Sequence, residues 1–447
     1  MGGLSLGNRK WIRLNSFQSI VLGFSGVILG GTGLLMLPFS TASGASAPFL
    51  DALFTAATSV CVTGLVVQDT GTYWSAFGQG VILLLIQIGG LGVITTAALL
   101  AILSGRRIGL MQRSTMQEAV AAPKMGGVVR LTCFILKVTF ATELVGAAIM
   151  APVFCRDFGP AQGLWMALFH AVSAFCNAGL DLMGIRGAYS SLTAYSADPV
   201  ISITVMVLII VGGIGFLTWD DVRTHGIRLR RYRMQSKVIL LSSALLILIP
   251  AALLYLEFDG MPTGERILMS CFQAVTPRTA GFNTADLTAL TQATQFLIIV
   301  LMLIGGSPGS TAGGMKTTTF AALLGCASAV FRRRDSVHFF GRRISQETVN
   351  TAATLAVLYV GLSVLSAMVI SAIENLPVLT CLFETASAIA TVGLTLGITP
   401  TLGNASRCIL IALMYLGRVG GLTFIHAATS GRKVQMGRLP LEKFTVG

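Results

Sequence analysis

Long apolar runs divided by short basic segments set the rhythm of this chain. A membrane span takes about 20 apolar residues. Eight runs of that order lie at Ser16–Leu37, Gly78–Leu103, Leu131–Phe154, Val200–Trp219, Val238–Leu256, Ala293–Val330, Thr348–Ile373 and Ile409–Thr429. Between the members of each successive pair lies an apolar stretch too short to cross: Pro48–Ser59, Gly163–Ala174, Pro262–Thr276 and Pro377–Ile389. Backbone that enters and returns at membrane depth survives only where protein or water surrounds it, so these stretches must line a cavity. The pattern predicts an all-α membrane protein of eight transmembrane helices and four re-entrant helices, built as four membrane–pore–membrane repeats around one central pore. The units are 16–103, 126–219, 236–330 and 344–430, with a cytoplasmic segment 1–15 before them and a cytoplasmic tail 431–447 after them. Pro48, Pro262 and Pro377 stand where a first-turn proline is tolerated.

Each re-entrant helix runs into a stretch closing on glycine: Cys61-Val62-Thr63-Gly64-Leu65, Cys176-Asn177-Ala178-Gly179-Leu180, Arg278-Thr279-Ala280-Gly281-Phe282 and Ala390-Thr391-Val392-Gly393-Leu394. An aromatic heads each copy (Phe54, Phe169, Phe272, Phe383), and four residues later stands a small hydroxyl (Thr58, Ser173, Thr276, Ser387). Phe and Gly are ten residues apart in three copies and nine in the third. Only Gly takes positive φ without steric cost, which turns successive carbonyls toward one side. Rings of such carbonyls replace the hydration shell of a dehydrated cation, most familiarly potassium. One glycine alone would read as a helix stop, but four in matching positions read as four walls about one axis. Carbonyls of Val62, Thr63, Asn177, Ala178, Thr279, Ala280, Thr391 and Val392 are expected to complete the coordination. The C-terminal, partly negative ends of the re-entrant helices favour a cation at the same place.

The inner helices carry a second signature. Gly89-Gly90-Leu91-Gly92, Gly212-Gly213-Ile214-Gly215, Gly305-Gly306-Ser307-Pro308 and Gly417-Arg418-Val419-Gly420 fall 25, 33, 24 and 24 residues after their respective glycines. Close helix packing through small residues accounts for the first two. The third continues as Gly309-Ser310-Thr311-Ala312-Gly313-Gly314, so ten residues pass without one large side chain. Pro308 removes a helix hydrogen bond and the glycines weaken the rest, so that helix is expected to break at mid-membrane. In the fourth, Arg418 replaces the second glycine; a charge at bilayer depth belongs in the bundle interior. The run Gly309–Thr317 imitates a phosphate-binding loop, but Met315 separates Gly314 from Lys316 and a membrane helix, not a strand, precedes it. Arg418 and the broken segment together are the candidate gate.

Composition agrees with a multi-span protein: of 447 residues 54% are hydrophobic and 11% charged, and mean hydropathy is +0.79, against about 25% charged residues in soluble chains. The net charge of +13 is not a nucleic-acid signature, because its distribution follows topology. Lys and Arg number 3 before Ser16, 5 in Ser104–Arg130, 6 in Asp220–Lys237, 5 in Phe331–Arg343 and 4 after Ser430, which is 23 of the 31. The loops between hold Asp51, Asp69, Asp157, Asp181, Asp198, Glu257, Asp259 and Asp286. Short basic loops stay in the cytoplasm, which places both termini inside and the glycine stretches toward the outside. Asp69, Asp181 and Asp286, just beyond the glycines, either draw cations to the mouth or are solvated loop charges. Eight scattered cysteines without a Cys-x-x-Cys pair argue against a zinc site or a disulfide framework. No catalytic constellation, Arg ladder or soluble regulatory domain is present. The basic segments Arg228–Arg233 and Phe331–Arg343 and the tail offer docking surface to a cytoplasmic regulator, although topology alone accounts for their charge.

Four such units, single-glycine filters, a Gly/Ser-rich break in the third inner helix and an arginine in the fourth resemble the Trk/Ktr/HKT superfamily of potassium transporters over Asn15–Gly447. The first unit begins near Ser16, so the resemblance is greatest to the membrane subunit of the bacterial Ktr systems. It implies channel-like potassium uptake, often stimulated by sodium, in the bacterial plasma membrane. It also implies a homodimer with one pore per protomer and a cytoplasmic ring of nucleotide-binding, KtrA-like subunits with RCK domains, so that nucleotide binds the partner and not this chain. Family filter glycines map onto Gly64, Gly179, Gly281 and Gly393, the gating loop onto Gly305–Gly314, and the pore arginine onto Arg418. The third stretch departs from the pattern, being one residue short with Arg278 beside it, and the tetrameric-channel Thr-Val-Gly-Tyr-Gly survives only as Thr391-Val392-Gly393. A secondary transporter with alternating access is the competing reading, since such folds also use broken helices; a membrane enzyme or scaffold has least support.

Overall fold

The computed structural model describes residues 16–103, 109–119, 126–421 and 423. The first unit comprises α1 (Ser16–Leu35), α2 (Phe49–Val60), α3 (Ala76–Leu91) and α4 (Val93–Leu103), followed by α5 (Leu110–Ala119). The second comprises α6 (Val128–Phe158), α7 (Pro160–Cys176), α8 (Pro199–Gly213) and α9 (Phe216–His225). The third comprises α10 (Met234–Glu257), α11 (Thr263–Val275), α12 (Gln292–Leu303) and α13 (Thr317–Phe331), with a small antiparallel pair β1 (His338–Phe339) and β2 (Arg342–Arg343) after it. The last contains α14 (Gln346–Glu374), α15 (Val378–Ile389) and α16 (Asn404–Val419). The segments 1–15, 424–430 and 431–447 lie outside the described residues.

Among the described residues α1, α6, α10 and α14 are long and apolar enough to cross a membrane, and α3–α4 and α8–α9 qualify as two more if each bent pair is one span. These pairs differ from the straight inner helices expected: they turn by 100° and 95°. The turns fall at Gly92 and Gly215, with φ of 86° and 92°, a region that costs glycine little and other residues more. Gly420, the equivalent residue of the fourth unit, has φ 91°. The glycine pairs therefore do more than pack. The third inner run breaks as expected, with no helix between Leu303 and Thr317. The prolines shift by one position: Pro48, Pro262 and Pro377 are N-caps in extended conformation, whereas among the four short helices α7 begins on its proline, Pro160.

Burial is arranged around the short helices. The four heading phenylalanines, Phe54, Phe169, Phe272 and Phe383, are all buried. By contrast Leu22, Leu144, Leu248 and Leu365 of the long helices are more than half exposed. Lipid tails are as apolar as leucine, so association in a bilayer rests on packing and hydrogen bonds rather than on a hydrophobic gain. Glycine supplies that packing: a Cβ on Gly31 or Gly146 would come within 3 Å of Leu85 or Leu208 across the helix pair.

Candidate functional site

The four glycine stretches meet in one closed ring. A Cβ on Gly64 would lie 2.6 Å from the Ala178 carbonyl oxygen and 3.2 Å from the Gly179 Cα. One on Gly179 would lie 2.5 Å from the Ala280 oxygen and 2.8 Å from the Gly281 Cα. One on Gly281 would strike the Val392 oxygen, and one on Gly393 the Thr63 oxygen, with the next glycine Cα 3.2 and 2.8 Å away. Each glycine thus abuts the carbonyl preceding the next copy's glycine, in chain order, and the fourth closes on the first. All four have positive φ: 96°, 64°, 84° and 95°. An ion pair closes the same seam further out, where Arg407 of α16 meets Asp51 of α2 at 2.9 Å.

Two residues before each glycine stands a second left-handed residue that composition does not suggest: Val62 (φ 49°), Asn177 (58°), Thr279 (73°) and Thr391 (53°). Asn tolerates this region, whereas for β-branched residues it is an outlier costing on the order of 1–3 kcal/mol each. Such strain persists only where the surroundings over-determine it. The hydroxyls of the sequence repeat are part of that surrounding. Thr58 and Ser387 accept from the Gly64 and Gly393 N–H at 3.0 Å. Ser173 and Thr276 instead donate to the carbonyls of Leu180 (2.7 Å) and Phe282 (2.5 Å). The N–H before each glycine bonds back to the hydroxyl residue's carbonyl, five residues earlier for Thr63, Ala178 and Val392 and four earlier for Ala280. The missing residue of the third copy is absorbed in that turn, leaving the ring in register.

Buried oxygens at the ring lack partners: Thr63 Oγ1, Asn177 Oδ1 and Thr391 Oγ1. Buried polar atoms are nearly always satisfied, so these three oxygens are exceptions, one on each of three walls of the ring. Asn177 also donates to Thr279 Oγ1 at 3.1 Å, tying two neighbouring walls. On the far side of the glycines opens a cavity of about 290 Å³ bordered by Asp69, Asp181 and Asp286. All three acids are also tied into turns. Asp69 accepts from the N–H groups of Gly71, Thr72 and Tyr189, Asp181 from Met183 and Asp286 from Thr288. Burial, helped by the neighbouring Asp69, pushes the Asp181 carboxyl up to about 6, while the Thr288 bonds hold Asp286 below the usual carboxylate range.

The broken segment between α12 and α13 lies against the ring's opposite face. A Cβ on Gly314 would be 2.8 Å from the Ala390 oxygen, and one on Gly305 3.2 Å from the Thr279 methyl. Its backbone is tied to the second and fourth units. Ser307 and Thr311 donate to Gly213 (3.0 Å) and Gly212 (3.3 Å), Gly314 donates to Gly417 (3.3 Å), and Phe216 donates to Gly309 (2.6 Å). Arg418 spans it: Nη1 donates to the Thr311 carbonyl, and Nη2 to the Gly89 and Gly90 carbonyls, the latter at 3.1 Å. So the glycine pairs, beyond bending helices, expose the carbonyls on which the segment and Arg418 rest. Lys316 is a second cation here, donating to Ala312 (2.7 Å) and Gly313 (3.1 Å). A lysine ending a run without large side chains was the available signal. Glu143 of α6, taking a 3.2 Å bond from Gln87, likewise had no sequence signal beyond being an acid inside a span.

Residues 13–433 match the family model described as TrkH, cation transport protein. The potassium/sodium uptake protein NtpJ of Enterococcus hirae is 41% identical over 426 residues, covering 93% of each chain. Ktr system potassium uptake protein B of Bacillus subtilis is 39% identical over 425 residues, covering 94% of each. The crystal structure of the potassium transporter TrkH from Vibrio parahaemolyticus superposes with a TM-score of 0.74 at 18% identity, over 95% of this chain and 86% of that one; that match speaks to the fold.

Proposed function

This chain belongs to the TrkH family of cation transport proteins, and on that premise we propose that it takes potassium through a selective pore formed by its four repeats. The ring of glycines closing on itself in chain order carries the reading. Four backbones with left-handed residues two apart present carbonyls from four sides, and carbonyl rings substitute for the water around a dehydrated potassium ion. Gly64, Gly179, Gly281 and Gly393 are the filter glycines, with carbonyls of Val62, Thr63, Asn177, Ala178, Thr279, Ala280, Thr391 and Val392 beside them. In this reading the chain crosses the membrane eight times with four re-entrant helices, and its short basic loops support a filter toward the outside with both termini in the cytoplasm of a bacterium. Gly305–Gly314 and Arg418 are the gate on the inner side, stimulated by sodium and controlled by a nucleotide-binding cytoplasmic ring on a homodimer. What supports a separate regulator is the wording of relatives named as parts of a Ktr system.

Uptake of rubidium and sodium into proteoliposomes tests selectivity: rubidium should enter far faster. Equal rates of the two would refute a filter. The glycine bends also suit alternating access, in which broken helices move about a midplane site. Single-channel recording separates the two, because discrete conductance steps are incompatible with one rocking cycle per ion.

A further inference from the structure

A second large cavity among the described residues is remote from the ring. About 650 Å³ in volume, it is a groove between α10 and α13, within the roughly 300–1,000 Å³ typical of ligand sites. Its walls are apolar along their length, with Leu241, Leu245, Ile249 and Leu324 about half exposed. One end stops at Pro250 and Phe320, and the other opens beside Arg332, Arg334 and His338. From Val238 to Pro250 the α10 wall advances by twelve residues, about 18 Å at 1.5 Å per residue. That is close to the depth of one leaflet, half of a hydrocarbon core about 30 Å thick.

The mouth has one sign of charge. Phe331–Arg343 holds five arginines and a single acid, Asp335, and among the described residues none of the five pairs with a carboxylate. Arg334 Nη1 rests 3.0 Å from His338 Nε2, which holds the guanidinium at the rim. Phe340 forms the lip, its ring 5.8 Å from the Lys237 ammonium of α10. Topology accounts for basic residues at this end of the helix, but not for a leaflet-deep apolar groove that opens beside them.

We propose that this groove is a binding site for one anionic phospholipid of the cytoplasmic leaflet, an acyl chain lying between α10 and α13 and the phosphate held by Arg332 and Arg334. Attraction of an anionic surface for one basic side chain corresponds to about fivefold in binding, so two give about 25-fold over a lipid without net charge.

Native mass spectrometry of the full chain, exchanged into mixed phosphatidylglycerol and phosphatidylcholine, tests the site. The parent should retain one phosphatidylglycerol per protomer with about 25-fold preference, and Arg332→Gln with Arg334→Gln should bring the two lipids near parity. Leu245→Trp, which fills the groove and leaves the arginines in place, should lower retention of both. An unchanged preference in the double variant overturns the proposal, as does equal retention after Leu245→Trp. A disulfide between two copies carrying Leu245→Cys would also overturn it, since a second protomer would then occupy the groove.

Discussion

Replacing Arg418 by Ala removes a unit charge and the contacts to Thr311, Gly89 and Gly90 together. Two effects favour conduction once they are gone. At a separation of about 6 Å and an effective dielectric of about 20, two unit charges repel by roughly 3 kcal/mol, about a hundredfold in cation occupancy. Hydrogen bonds from a charged donor contribute about 1.5–3 kcal/mol each, and since only the Thr311 bond reaches the broken segment, Arg418 holds that segment against α3 by about 1.5–3 kcal/mol. Against this, buried carbonyls left unpaired cost about 1–3 kcal/mol apiece, so the variant must first be shown to stay folded and monodisperse. The assay is rubidium influx into proteoliposomes containing the chain alone, where Arg418→Ala should raise the rate ten- to a hundredfold. Shortening Gly305–Gly314 should raise it while keeping the arginine. Arg418→Lys separates the causes, because a lysine keeps the charge but loses the planar fork. Low flux in Arg418→Lys identifies charge as the block, and high flux identifies the latch. Should Arg418→Ala and the shortened chain both fold yet conduct no faster than the parent, the arginine is a structural tie.

Gly393→Ser should lower the rubidium-to-sodium flux ratio at least tenfold with expression unchanged, because its Cβ meets the Thr63 carbonyl at a φ of 95°; unaltered ratios in all four Gly→Ser variants would remove the filter reading. Asp181 gains its charge as pH rises through about 6, so low-salt uptake should increase between about pH 5 and 7, and Asp181→Asn should flatten that rise. Neutralising Asp69, Asp181 and Asp286 together should slow uptake at low salt and matter less at physiological salt, where charges beyond about 8 Å are screened; no change at low salt leaves them as turn anchors. A soluble nucleotide-binding protein should co-purify through the basic cytoplasmic face, and identical flux with and without nucleotide in that complex would count against control from below.

Much of this arrangement was legible because it repeats. Apolar stretches too short to cross located all four short helices to within three residues of their observed ends, and longer apolar runs located α1, α6, α10 and α14. What stayed hidden ran against residue type. A β-branched residue argues for extended backbone, yet Val62, Thr279 and Thr391 are left-handed, held there by the next wall of the ring and by the hydroxyl beneath. Nor does Gly-Gly-x-Gly say whether a helix packs or turns: in α3 and α8 it does both, the first glycine lying against a neighbouring carbonyl and the last bending the chain. Lys316 was obscured by its likeness to a phosphate loop, although its partners are carbonyls of its own segment.

The third copy separates what the repeat must keep from what it can spare. Counted from Phe272, its glycine is one residue early, which could have rotated the whole stretch out of line. Instead the turn leaving α11 tightens, with Ala280 bonding four residues back where the other copies bond five. Thr279 and Gly281 remain two apart and both left-handed. Distance from the helix is therefore adjustable, and the alternation of backbone within the ring is not. A wall that lost this alternation would still span and still pack, because the phenylalanines and small residues that place its helix are elsewhere in the sequence. It would present its carbonyls out of register with the other three. Defects in selectivity should accordingly concentrate at the glycines and the residues two before them, and defects in assembly at Phe54, Phe169, Phe272 and Phe383.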